Sequence, residues 1–250
     1  MQGAYTPILR LSLVAVIAIV IVVAPRESHG KDDSVCHPAL DPDYTHYMIG
    51  YGSLMNHASK QRTWKDTGEN RPVRVRGIER GWSARGRDFG FSTTFLGATS
   101  KADAEIVAAL FRIRNLEDVA AGDAREYIYC RQLVAPSQIT MLDGSELPPN
   151  SKVWIYILKP DSDQPADDRF PIIQSYIDLF LNGCIQLAPR VVDKDLDFLA
   201  ACIETTQGWP VHWVNDRVHP RRPVRYPNAA QIDATLKRML PEQFKAIRIE

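Results

Sequence analysis

The sequence predicts an α+β fold: a curved mixed sheet or small barrel with flanking helices, followed by a helical C-terminal part. Up to about Leu158, short runs rich in β-branched and aromatic residues alternate with turn residues, which predicts strands. From Pro171 onward, apolar residues recur at spacings of three and four, which predicts helices. Strands followed by helices are typical of α+β proteins.

The predicted strands follow one another through the first two thirds of the chain. They cover Tyr47–Ile49, Pro72–Arg85, Phe89–Leu96, Ile106–Ile113, Tyr127–Ala135 and Val153–Leu158. The strand Ile106–Ile113 is apolar at nearly every position, which predicts a central place in the sheet. Gly81 interrupts the second strand and predicts a bend or bulge there.

The predicted helices have start signals, stop signals or an apolar face. Asn115 can cap a helix whose first turn carries two acidic residues, which are favourable near a helix N-terminus. The helix after Pro171 is predicted to end at Gly183. Further helices are predicted over Asp193–Thr206 and Asn228–Leu240, with a short final one from Pro241.

The first thirty residues differ in composition from the rest. Leu11–Ala24 is an apolar run with one polar residue, and it is shorter than the roughly 20 residues that a membrane-spanning helix needs. Residues 1–30 are therefore predicted to be a signal peptide, or alternatively an N-terminal membrane anchor through residues 8–24. Residues 31–44 form a linker, and the domain covers 45–250. The predicted location is exported, either periplasmic or secreted, or membrane-anchored through that segment.

Charge and cysteine content narrow the class of partner. The chain has 30 basic and 30 acidic residues, so its net charge of zero gives no indication of a nucleic-acid partner. A membrane contact is expected only through the N-terminal segment if it stays uncleaved. The four cysteines lack zinc-site spacing. They are compatible with disulfides of undetermined pairing or with buried free thiols.

A glycine turn, Gly50–Met55, follows the first predicted strand. Backbone N–H groups in such turns can bind an anion or a developing oxyanion. A dinucleotide fingerprint is excluded because Met55 stands where the third glycine belongs. A serine-hydrolase elbow is not supported because Ser53 lacks the flanking glycines of that motif. An ordinary β-turn without a ligand remains the alternative.

Two motifs together carry a family resemblance. Tyr51-Gly52-Ser53-Leu54 resembles the substrate loop of the γ-glutamylcyclotransferase-like superfamily, which lies at the end of the first strand. The stretch 123–134 is similar to that family's pattern of Asp, x, Arg, Glu, two residues, Tyr, x and Arg. The match covers about 47–158. The chain departs from the pattern at Tyr127-Ile128, where the family has a glycine-containing step, and 209–250 has no recognised counterpart.

The resemblance implies an activity and a set of site residues. The family cyclises a γ-glutamyl group, such as that of glutathione, to 5-oxoproline and releases a free amine or amino acid, without a metal or other cofactor. It implies that Glu126 is the general acid/base. The substrate-binding residues that it implies are Tyr51, Gly52, Ser53, Leu54 and Tyr129. The implied partner is a small γ-glutamyl substrate. Two alternatives stay open: an exposed Glu126 paired with a neighbouring arginine, and a non-catalytic exported binding or structural module of the same fold.

A basic, proline-rich stretch near the C-terminus fits neither motif. It contains Arg217, Arg221, Arg222 and Arg225. Such a cluster favours an anionic substrate group, a phosphate or an acidic lipid surface. A solvated connecting loop packed under Trp209 and Trp213 is the preferred interpretation.

Overall fold

The computed structural model describes residues 33–86, 93–222 and 227–250, and the elements below are those of these ranges. The strands are β1 (Thr45–Gly50), β2 (Arg71–Gly86), β3 (Thr93–Arg112), β4 (Tyr129–Val134), β5 (Ile139–Met141), β6 (Ser151–Leu158), β7 (Ile172–Ile173), β8 (Thr206–Gln207), β9 (Trp213–Asn215) and β10 (Arg248–Ile249). The helices are α1 (Asp33–Cys36), α2 (His57–Gln61), α3 (Glu117–Arg125), α4 (Gln174–Leu187), α5 (Phe198–Glu204), α6 (Ala229–Met239) and α7 (Pro241–Lys245).

The predicted signal peptide or anchor lies outside the described residues. None of the helices in the described ranges is long and apolar enough to cross a membrane.

The main sheet is mixed and curls into a half-barrel. Its strand order is β4-β6-β1-β3-β2-β5, and β8 pairs with β2. Strand β1 lies at the centre, parallel to β6 and antiparallel to β3. Strands β7, β9 and β10 form a second, parallel sheet of three short strands. The architecture confirms the predicted α+β class with a curved mixed sheet.

Both faces of the main sheet are buried, and β3 shows this most clearly. Its side chains alternate, as a strand requires. Ile106 and Leu110 belong to one apolar cluster, whereas Val107 and Phe111 belong to another. The second cluster also contains the apolar side chains of α4 and α5. A strand with core on both sides needs a continuous apolar sequence, which is why this run predicted a central strand correctly.

Strands β2 and β3 form one long antiparallel hairpin rather than several short strands. The two segments that predicted separate strands, 89–96 and 106–113, therefore belong largely to one strand, with 89–92 outside the described residues. The predicted irregularity at Gly81 was wrong, because Gly81 pairs regularly with Gly97. The pairing register instead shifts at Gly77, whose φ of +80° favours glycine, and at Ser83.

Helix α4 continues past Gly183 to Leu187, so the predicted stop at this glycine was wrong. A Cβ atom on Gly183 would lie 2.6 Å from the backbone of Met55 and Asn56. The glycine lets the helix pack directly on the turn that follows β1. Close packing, rather than chain termination, is its structural role.

The C-terminal helices follow the prediction with shorter boundaries. Helix α5 begins only after Asp197, whose side chain accepts a hydrogen bond from the N–H of Ala200. Disulfides join Cys36 to Cys130 and Cys184 to Cys202, so all four cysteines are bonded. The first bond attaches the segment before β1 to β4, and the second attaches α5 to α4.

Candidate active site

The glycine turn lies where β1 meets α4. Gly52 precedes a 3-10 turn, Ser53–Met55, and a Cβ atom on Gly52 would lie 2.7 Å from the Tyr176 hydroxyl. The N–H of Met55 donates to the Gly52 carbonyl at 3.0 Å and closes the turn. N–H groups at the start of a helical turn have no partner within it. The N–H groups of residues 52–54 therefore have no acceptor within the turn, and such N–H groups are of the kind that binds an anion.

A buried arginine holds this turn from behind. Arg80 is 0 % exposed, and its guanidinium donates to the Tyr51 carbonyl at 3.2 Å and the Val107 carbonyl at 2.9 Å. It also donates to the Cys202 carbonyl at 2.7 Å and to the hydroxyl of Thr206 at 2.8 Å. These acceptors are neutral, and burial lowers the pKa of Arg80 to about 9. One side chain of β2 thus fixes the turn relative to β3, α5 and β8.

Glu126 is positioned by the C-terminal end of α3. Its N–H donates to the Gly122 carbonyl at 2.9 Å, and its own carbonyl accepts from the N–H of Tyr129 at 2.8 Å. The side chain is 17 % exposed and forms an ion pair with Arg125, Nε to Oε1 at 3.3 Å. Arg125 also donates to the hydroxyls of Ser53 at 3.1 Å and Thr63 at 2.6 Å. Arg125 therefore links the two motifs that the sequence placed seventy residues apart.

The environment of Glu126 favours its protonated form. Burial raises the pKa of the Glu126 carboxyl, and the nearby charges of Arg125 and Arg222 lower it without cancelling the effect. A carboxyl whose pKa is raised toward the working pH can take up and return a proton. The alternative of a solvated surface glutamate does not describe this side chain, although it does pair with Arg125.

The sequence pattern around Glu126 also contains structural residues. Arg131 Nε donates to the carboxylate of Asp123 at 3.0 Å, and the Tyr156 hydroxyl donates to the same carboxylate at 2.7 Å. Arg131 also lies over the ring of Trp154 at 4.8 Å. These contacts attach α3 to β4 and β6, so Asp123 and Arg131 set the position of Glu126 without lining the cavity beside it.

Both predicted tyrosines use their hydroxyls to bind the main chain. Tyr51 donates to the Tyr156 carbonyl at 2.7 Å, and Tyr129 donates to the Leu96 carbonyl at 3.1 Å. Burial raises the pKa of each well above its ordinary value. Their rings line the site while their hydroxyls hold neighbouring strands.

Two adjoining cavities meet at Glu126. The larger has a volume of about 310 Å³ and the smaller about 40 Å³. Both are lined by Ser53, Glu126, Tyr129 and Tyr176. The smaller is also lined by the other predicted site residues, Tyr51, Gly52 and Leu54. The structure thus brings the five other predicted site residues together around Glu126.

Further residues of the larger cavity were not among the predicted site residues. They include Arg62, Phe95, Arg125, Tyr176 and Arg222. Burial raises the pKa of Tyr176 to about 12. In the sequence Tyr176 fits the helical apolar period and is indistinguishable from a core residue. Within the described ranges, no group of His, Cys, Asp or Glu side chains is placed to hold a metal ion.

Comparison with known proteins agrees with the fold. No protein-family sequence model and no curated protein sequence matches the chain. A solved structure of a gamma-glutamyl cyclotransferase superimposes with a TM-score of 0.50 at 10 % identity, over 64 % of this chain and 88 % of that one. An uncharacterized protein from Homo sapiens gives a TM-score of 0.50 at 11 % identity, over 65 % and 88 %. The chain therefore has the γ-glutamylcyclotransferase-like fold, which confirms the prediction from the two motifs.

Proposed function

We propose that this protein is a γ-glutamylcyclotransferase-type enzyme that converts a γ-glutamyl compound into 5-oxoproline and a free amine or amino acid. Glu126 takes a proton from the α-ammonium group of the substrate. The resulting amine attacks the γ-carbonyl carbon, and the tetrahedral intermediate then collapses as its bond to the leaving nitrogen breaks. Glu126 returns the proton to that nitrogen, and the second proton that the attacking nitrogen loses also passes to the leaving nitrogen. The lactam nitrogen therefore keeps one hydrogen, and the leaving amine departs as an ammonium group. No external nucleophile or electron acceptor enters this balance.

The observation that carries the proposal is the position of Glu126. Its carboxyl has a raised pKa, lies at the junction of two cavities and is linked through Arg125 to Ser53 of the glycine turn. A proton acceptor and the glycine turn therefore line the same cavity. Intramolecular acyl transfer requires such a pair, one for the amine and one for the oxyanion.

The tyrosines and glycines have supporting roles in the proposal. The N–H groups of residues 52–54 stabilise the oxyanion, and the rings of Tyr51 and Tyr129 shape the space that folds the γ-glutamyl chain back on itself. Holding the amine close to the carbonyl removes much of the entropic barrier to cyclisation. Leu54 contributes an apolar wall to the smaller cavity.

The decisive experiment measures 5-oxoproline release by the full-length chain from a panel of γ-glutamyl amino acids, γ-glutamyl amines and glutathione. The Glu126→Gln variant is expected to lose about 10²- to 10⁴-fold in turnover, the usual contribution of a general acid/base. Glu117→Gln is the matched control, because Glu117 lies exposed in the first turn of the same helix. Equal activity of the two variants would remove Glu126 from the mechanism. No release from any compound by a folded protein would favour the non-catalytic module.

We also propose that the protein is exported or membrane-anchored, with residues 1–30 as signal peptide or anchor. The two disulfides support an oxidising compartment. Cell fractionation and N-terminal sequencing of the mature protein test this. Recovery in the cytoplasm with an intact, non-membrane N-terminus would refute it.

A further inference from the structure

The larger cavity is lined by more positive than negative charge. Its described lining contains three arginines, Arg62, Arg125 and Arg222, and one carboxylate, Glu126. Arg125 is already paired with Glu126. Three guanidinium charges against one carboxylate in the described lining give a positive potential to a space that would receive the substrate. A cavity of this kind attracts an anionic ligand group.

The basic stretch that the sequence left unexplained supplies only one of these arginines. Arg217 forms ion pairs with Asp178 and Asp233, both at 2.7 Å, and Arg221 pairs with Glu250 at 2.6 Å. Arg222 instead turns into the cavity, where its guanidinium lies over the ring of Phe95 at 4.7 Å. The neighbouring Arg225 lies outside the described residues. The stretch is therefore partly a set of structural ion pairs and partly a wall of the candidate active site.

A buried network fixes the backbone that carries Arg222. Asp216 is 1 % exposed, and its carboxylate accepts from the N–H of Ser175 at 2.8 Å, the Ser175 hydroxyl at 2.6 Å and the N–H of Arg221 at 2.8 Å. The Ser175 hydroxyl in turn accepts from the N–H of Arg222 at 3.1 Å. Ser175 directly precedes Tyr176, which lines both cavities. The network therefore fixes the backbone of Arg222 next to that of Tyr176. A fully hydrogen-bonded buried network of this kind fixes a unique geometry.

The chemistry of the proposed reaction separates two parts of the substrate. The α-amine and the α-carboxylate are bonded to the same carbon, so a substrate whose amine meets Glu126 also keeps its α-carboxylate near the Glu126–Arg125 pair. The leaving amine departs into the remaining space. The larger cavity offers such a space, because Phe95, Tyr176 and Arg222 line it together with Glu126.

Resting on the proposed function, we propose that Arg222 binds a carboxylate on the leaving part of the substrate. The enzyme would then act on γ-glutamyl amino acids or peptides in preference to γ-glutamyl derivatives of uncharged amines. Arg222 contributes planar, directional N–H donors suited to a carboxylate. Arg62, which directly follows α2, adds a further positive charge to the same cavity.

The test compares γ-glutamylalanine with γ-glutamylethylamide, which differ by the carboxylate on the leaving group. We expect the unaltered chain to favour γ-glutamylalanine by about 10- to 100-fold in kcat/KM, the range for a hydrogen-bonded charged pair. Arg222→Ala should abolish this preference, chiefly through KM, and Arg222→Lys should restore part of it. Removing the charge of Arg222 also changes the pKa of Glu126. Because each variant is measured on both substrates, that effect cancels in the ratio of the two kcat/KM values.

Arg221→Ala is the matched control, since it removes the adjacent arginine whose side chain pairs with Glu250. It should keep the preference. An undiminished preference in Arg222→Ala, or no preference in the unaltered chain, would overturn the assignment. A third result would also overturn it: a loss of kcat/KM in Arg222→Ala that appears with a substrate carrying the α-carboxylate and is absent with its α-amide analogue. Arg222 would then act on the α-carboxylate and not on the leaving group.

A binding measurement separates this inference from the proposed reaction. Isothermal titration of the Glu126→Gln chain with the two compounds needs no turnover. Tighter binding of γ-glutamylalanine that disappears when Arg222→Ala is added supports the carboxylate site, whatever the activity assay shows. Equal binding of both compounds refutes the site even if 5-oxoproline is released.

Discussion

The contact between the glycine turn and α4 yields a quantitative prediction. In Gly52→Ala the new Cβ atom would lie 2.7 Å from the Tyr176 hydroxyl oxygen, whereas ordinary contacts begin at 3.4 Å. The next nearest atoms, on Leu96, lie at 3.6 and 3.9 Å. The clash is therefore confined to one oxygen atom. Removing that atom in Tyr176→Phe should relieve it.

The expected magnitudes follow from how tightly Tyr176 is held. Its ring is 5 % exposed and packs edge-on against Phe95 at a centroid distance of 4.8 Å, so it cannot rotate away. Overpacking of a core site of this kind costs about 1–3 kcal/mol. Tyr176→Phe alone loses a hydrogen bond to the Leu96 backbone, at about 0.5–1.5 kcal/mol. In the double variant the cost of Gly52→Ala should largely disappear.

Urea unfolding of the four proteins measures the coupling directly, provided that the m-value stays constant. The control cycle pairs Gly52→Ala with Tyr129→Phe. Tyr129 also donates to the Leu96 carbonyl, but its hydroxyl is not among the atoms nearest the added Cβ. We expect additivity in the control cycle and a coupling of about 1–3 kcal/mol in the other. Additivity in both cycles would refute the proposed contact.

Two further predictions concern ionisation and covalent stabilisation. Because the folded-state pKa of Glu126 lies above its unfolded value, the folded protein loses stability as the pH rises from the unfolded pKa through the folded one. Glu126→Gln should therefore be more stable than the unaltered chain at neutral pH. The difference should vanish below about pH 4, the pKa of a glutamate in the unfolded chain. Thermal unfolding across a range of pH measures this, and a variant that is less stable at neutral pH would contradict it. Replacing Cys184 and Cys202 by serine should lower the unfolding free energy by about 3 kcal/mol, as expected for a bond closing a loop with a sequence separation of 18. Urea unfolding of the oxidised protein measures that loss, and an unchanged midpoint would show that the bond does not form in solution.

The parts of the fold predicted correctly are those where one local pattern decides the structure. Val153–Leu158 and Ile106–Ile113 are apolar enough to be interior strands wherever they lie. Glycine was harder to interpret, because the same residue permits a bulge, a helix end or a close contact. Gly183 lies inside a helix and permits a close contact with a turn more than 120 residues earlier in the chain. Nothing local to Gly183 could have indicated that neighbour.

The residues of the candidate site also divide into those that a local sequence pattern predicted and those that it did not. Glu126 and residues 51–54 were predicted because each belongs to a short motif. Tyr176 and Arg222 were not, because their sequence signals are a helical apolar period and a cluster of similar arginines. Arg217 and Arg221 are held by acidic partners such as Asp178 and Glu250, and the buried Asp216 fixes the backbone before Arg222. Those partners become neighbours only in the folded chain.

The direct contact of α4 with the glycine turn means that cavity width is controlled from outside the cavity. Gly183 lies two helical turns after Tyr176, on the same side of α4. Any larger residue at 183 must move the helix away from Met55, and the helix would carry Tyr176 away from Gly52 with it. Changing the size of this one residue would therefore adjust the space around Glu126 while leaving every cavity-lining side chain unaltered. Position 183 offers protein engineers a way to broaden substrate acceptance without altering the chemical groups of the site.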